Sequence, residues 1–84
     1  MIGDPTRCFI CGRSGALHTH HCLHGCRRHK AEQHGLTVEL CPECHRRLHD
    51  YGEHDRDLEQ VAQRIFEKKH GHEKWMQEFG RNYL

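Results

Sequence analysis

The chain has 84 residues, with 13 Lys and Arg against 12 Asp and Glu, 11 His, 6 Cys and a formal net charge of +1. That length is one domain, and no stretch of it approaches the apolar run needed to span a membrane. With 35% apolar residues and a mean hydropathy of −0.98, so small a domain has a thin core. Something besides apolar burial must hold it, and the cysteine and histidine content points to metal. The opening Met1-Ile2-Gly3-Asp4-Pro5 has neither the basic nor the apolar region of a secretory signal. A cytoplasmic setting is therefore expected, where metal-bound thiols are favoured over disulfides. Residues 1–49 carry 7 Lys and Arg against 4 Asp and Glu, a net of +3, and residues 50–84 carry 6 against 8, a net of −2. Any nucleic-acid face is expected on the first part.

In chain order, residues 8–15 read as a turn-rich knuckle, Cys8-Phe9-Ile10-Cys11-Gly12 followed by Ser14-Gly15. Residues 16–23 read as a short strand. A loop then runs to about Gly35 and holds Arg27, Arg28 and Lys30. Leu36-Thr37-Val38-Glu39-Leu40 alternates and is rich in β formers, so a second strand is expected there. Cys41-Pro42-Glu43-Cys44 is a second knuckle that opens a helix, with Pro42 in its first turn and an end before Gly52. Leu58, Val61, Ala62, Ile65 and Phe66 follow the spacing of an amphipathic helix. Asp55 or Asp57 is placed to cap it, and Gly71 to break it. Trp75, Met76 and Phe79 form a second apolar face, expected to complete the core. The fold class expected is a small, zinc-stabilised α+β domain with C-terminal helices at about 55–80.

Cys8 and Cys11, with Cys41 and Cys44, are two Cys-x-x-Cys pairs. Each turn presents two sulfurs to one ion, and two turns complete the closed tetrahedron of structural zinc. The long segment 12–40 between the pairs is no obstacle, because closure cost grows slowly with length. Such a site supplies on the order of 10 kcal/mol to folding. Cys22 and Cys26 are read as ordinary thiols, too far apart for a disulfide if residues 22–26 are extended.

His45 and His49 are four residues apart and project from one face of the second-knuckle helix. That helix is pinned beside the first knuckle, so two helix histidines and a strand histidine can converge on a second ion. Three protein ligands with an open position describe a catalytic metal site. Strand period leaves the third ligand open: His18 and His20 share a face, and His21 points to the other.

The stretch resembles the HNH, or ββα-metal, nucleases, especially short phage-encoded HNH proteins. The residues that carry the likeness are Leu17, His20-His21, Gly25, Arg28, Gly35-Leu36, Leu40-Cys41, Cys44-His45 and His49, with Phe79-Gly80-Arg81-Asn82-Tyr83 at the end. The resemblance implies a ββα core at about 16–50. It implies that His20, His45 and His49 bind a catalytic divalent ion, that His21 is the general base, and that His18 is a bystander. It also implies DNA as substrate and 3′-hydroxyl and 5′-phosphate products. The central Asn of the family, just before the second strand, is absent, and Gly35-Leu36 stand there.

An all-imidazole set suits zinc, nickel, cobalt or manganese ahead of magnesium. Arg28 is the expected phosphate clamp, with Arg27, Lys30, Arg46 and Arg47 as helpers. One catalytic site cuts one strand, so duplex cleavage implies a homodimer or two visits. If phage-encoded, the protein works in the bacterial host cytoplasm. Two other readings fit part of the pattern. A non-catalytic zinc module that binds DNA or protein needs only the cysteines. A histidine-rich metal carrier would use His24, His29, His34, His54, His70 and His72, whose scatter reads as unremarkable surface.

Overall fold

The computed structural model describes residues 1–84 as a small α+β fold with one two-stranded sheet and four helices. Strands β1 (His18–His21) and β2 (Thr37–Leu40) pair antiparallel, with His18 opposite Leu40 and His20 opposite Val38. The first strand is shorter than the expected 16–23. Beyond His21 only one further backbone bond, Cys22 N–H to Leu36 C=O at 3.1 Å, continues the hairpin.

The expected loop before β2 is instead helical, a correction to the sequence reading. A 3-10 turn (Gly25–Arg27) runs into helix α1 (Arg28–Gln33). Ala31 is the one fully buried residue of α1, so the segment has no apolar period to read. Leu36 N–H bonds to Ala31 C=O at 2.8 Å and Gly35 N–H to Glu32 C=O at 3.1 Å. These backbone bonds fix the approach to β2. The 3-10 turn also means that residues 22–26 are not a continuous extended segment. Cys22 is fully buried and Cys26 exposed, and neither forms a disulfide.

Helix α2 (Pro42–Tyr51) begins as expected. The Cys41 sulfur accepts from Cys44 N–H, and Pro42 occupies the first turn, where its missing N–H costs nothing. It ends at Gly52, whose φ of 71° is a left-handed conformation that glycine adopts without a Cβ clash.

Helix α3 (Asp55–His70) breaks at Gly71 and α4 (His72–Phe79) follows directly. The start of α3 differs from expectation: neither Asp55 nor Asp57 caps it, and the residue ahead of the helix is His54 at φ 64°. The Asp55 carboxylate faces His24 at 2.6 Å instead, and Asp57 faces the His54 ring at 3.2 Å. The buried stripe of α3 is Leu58, Ala62, Gln63 and Phe66, whereas Ile65 is exposed and Val61 half-buried. The helix is thus rolled from the expected face toward Gln63.

That roll has a cause in the chain end. Gln63 Nε2 donates to Asn82 Oδ1, and Gln63 Oε1 accepts from Tyr83 N–H, both at 2.7 Å. A buried amide with its polar atoms matched carries no desolvation penalty of an orphan group. Trp75 and Phe79 are buried beside Phe66, and the Trp75 indole N–H donates to Arg81 C=O at 2.7 Å. The α4 face therefore completes the core, joining Leu23, Leu36, Val38, Leu40, Leu48 and Leu58. No helix is long and apolar enough to cross a membrane.

Candidate metal centres and the histidine pocket

The first knuckle lies against β2 through Phe9 N–H to Glu39 C=O at 2.8 Å, and β2 leads directly into Cys41. The four sulfurs of Cys8, Cys11, Cys41 and Cys44 consequently lie within 4.8 Å of one another. Cys11 Sγ and Cys41 Sγ are 3.7 Å apart. A tetrahedron with zinc–sulfur bonds of about 2.3 Å has edges of about 3.8 Å, so the donor set fits a structural metal such as zinc. Burial pushes the Cys8 thiol up, but backbone N–H groups at Cys11, Cys41 and Ile10 more than offset it and bring it down to about 6. Cys44, by burial and by its thiol neighbours, is pushed up. Cys22, outside the cluster, is raised to about 12, first by burial and then by Asp55, and is not a reactive thiolate.

The histidines meet where α2 packs against β1. His20, on β1, is 4% exposed, and one of its ring nitrogens, Nε2, is buried with no hydrogen-bond partner. His45 and His49 project from successive turns of α2, with their Nε2 atoms 3.0 Å apart. Donor atoms of His20, His45 and His49 all lie within 4.8 Å of one another. An orphaned buried nitrogen beside two more imidazoles is the chemistry of a metal-ligand set. Burial, then the neighbouring His45, His24 and His49, lower His20 to about 4, and burial with His49 and His18 lowers His45. Both shifts favour the neutral imidazole that coordinates a cation.

Strand period holds for His18, which shares the α2 side with His20. It is exposed, and its Nδ1 lies 3.2 Å from His45 Nδ1. It thus touches the back of a candidate ligand rather than joining the three-histidine set. His21 is at the strand end and lines the same open cavity, of about 220 Å³, as His20, His24, Arg28, His45 and His49. Arg28 Nε donates to His21 Nδ1 at 3.3 Å, and the Glu32 carboxylate lies 3.7 Å from His21 Nε2.

The other basic residues have separate surroundings. Arg27 Nε donates to Phe79 C=O at 2.8 Å, and Lys30 reaches Glu78 through both its backbone C=O, at 3.0 Å, and its carboxylate, at 3.3 Å. Both tie the 3-10 turn and α1 to α4. Arg47 pairs with Glu43 at 3.1 Å, while Arg46 is exposed with no ion pair. Of the five, Arg28 alone lines the histidine cavity.

Sequence reasoning missed His24, Asp55 and Glu32. His24 is exposed, as expected of a surface histidine, but it also lines the cavity and bonds Asp55, which arrives from α3. Nothing in the local sequence joins positions 31 residues apart. Against protein-family models, curated proteins and solved structures alike, the chain has no match.

Proposed function

We propose that this chain is a metal-dependent DNA endonuclease with the ββα-metal core of the HNH type, carrying a structural zinc on its four cysteines. The observation that carries the reading is the convergence of His20, His45 and His49 in one cavity with His21 and Arg28. A divalent ion held by those three imidazoles would supply Lewis-acid stabilisation of charge on the scissile phosphate and the leaving oxygen.

The chain's own residues supply the rest. His21 Nδ1 accepts from Arg28, so a neutral His21 carries its ring proton on Nε2, toward Glu32. To take a proton from water, Nδ1 must lose Arg28. A phosphodiester anion is a stronger partner for a guanidinium than a neutral imidazole is. Substrate arrival therefore draws Arg28 onto the phosphate and exposes the base in the same movement. His18 behind His45 and Glu32 behind His21 stand where they can orient those two rings.

One cavity serves one strand, so a double-strand cut takes two chains or two visits. A non-catalytic zinc module needs only the cysteines and gives no reason for the histidine set. The test is a plasmid-nicking assay on zinc-loaded protein with added manganese, cobalt, nickel, zinc or magnesium. Nicked circles that depend on an added ion are expected. Intact plasmid with every ion would favour the zinc module.

A further inference from the structure

His24 leaves the hairpin just after β1, and Asp55 opens α3. Their side chains meet at 2.6 Å between His24 Nε2 and Asp55 Oδ1. Donor atoms of His20, His24 and Asp55 lie within 4.8 Å of one another, the same closeness as in the three-histidine set, and His20 belongs to both. An imidazole has two ring nitrogens and can serve a different ion with each. His20 is 4% exposed, and its Nε2 is buried without a partner.

We infer that His20, His24 and Asp55 form a second seat for a divalent cation, adjoining the seat of His20, His45 and His49. The donors come from β1, the turn after it and α3, so the fold assembles the seat from three separate places. Two imidazoles with one carboxylate suit a borderline ion such as zinc, cobalt or manganese. Two dications so close repel each other. Two features offset this: the Asp55 carboxylate is negative, and a histidine binding through both nitrogens gives up its ring proton. The second seat needs only this donor geometry, whether or not the cavity cleaves DNA.

The ion count tests it directly. The full chain, loaded with zinc at its cysteines, is titrated with Co²⁺ while a weak chelator strips loosely held surface ions. Thiolate ligands select zinc, and the absence of thiolate–cobalt absorption verifies that zinc stays on the cysteines. The parent is expected to take two Co²⁺ per chain, and Asp55→Asn and His24→Gln one each. His45→Ala also takes one, now in the seat of His20, His24 and Asp55. If Asp55→Asn does not fold, His24→Gln reads the same quantity. A parent that saturates at one Co²⁺, or a folded Asp55 or His24 variant that still takes two, overturns the second seat and leaves the pair a hydrogen-bonded staple between the turn after β1 and α3. If His45→Ala keeps the parent's count of two while Asp55→Asn lowers it, the three-histidine seat fails and the second seat stands.

Discussion

Arg28 donates its Nε–H to Nδ1 of His21 across 3.3 Å, so the proposed phosphate clamp rests on the proposed base until substrate arrives. Arg28→Ala is expected to weaken DNA binding and to make the salt dependence shallower by about 0.9 in log–log slope, the share of one phosphate contact. KM should rise more than kcat falls, because the base is left in place and free. Binding measured across a salt series checks this, and an unchanged slope removes Arg28 from the phosphate.

His21→Ala separates enzyme from binding module. It should leave zinc content and DNA affinity nearly intact and lower the cleavage rate by roughly 10²–10⁴-fold. A base acts mainly in the transition state, so its loss belongs in turnover rather than binding. A His21→Ala protein that nicks plasmid as fast as the parent transfers the role to another group, with His18 the next histidine to test.

Cys8→Ser and Cys44→Ser should each lose tightly held zinc and most of the cooperative unfolding transition. The core is 16 residues, two of them, Cys8 and Cys41, from the four-cysteine cluster, and an ion held there would add its binding free energy to folding. Circular dichroism and zinc content measured on the same samples check this. A variant that melts cooperatively without zinc would show that the apolar core suffices.

His20 makes the metal-poor cavity sensitive to acid. Its folded value is about 4, against an ordinary 6.5, through burial and then His45, His24 and His49. Between those values the unfolded chain binds the proton and the native chain does not. The stability it contributes is therefore present above pH 6.5 and falls away as pH drops toward 4. With zinc on the cysteines and no further ion added, the melting temperature of the parent should fall more steeply over that window than that of His20→Gln. Equal slopes would mean that His20 is not held neutral.

Much of the frame is legible in the residues themselves. Two Cys-x-x-Cys pairs allow few arrangements other than a closed metal site, and Pro42 and Gly52 mark the ends of α2, because cap chemistry and ligand spacing are local. The i, i+4 spacing of His45 and His49 likewise fixes their common face before any tertiary contact exists. The roll of α3 toward Gln63 is not legible, because it depends on Asn82 and Tyr83 returning from the chain end. Nor is α1, which a single buried Ala31 anchors.

The site divides the same way. Strand period left His18 and His20 equivalent, and only the packing of α2 against the hairpin sets His20 in the three-donor group and His18 behind His45. His24 looked like one surface histidine among several until α3 brought Asp55 to it. The sequence by itself determined that two Cys-x-x-Cys pairs can present four thiols to one ion and that His45 and His49 share a helical face, since those follow from covalent spacing. Which imidazoles meet, which nitrogen Arg28 covers and whether Asp55 caps a helix or joins His24 were decided by the tertiary structure, because donors far apart in the chain converge only when the core positions their backbones.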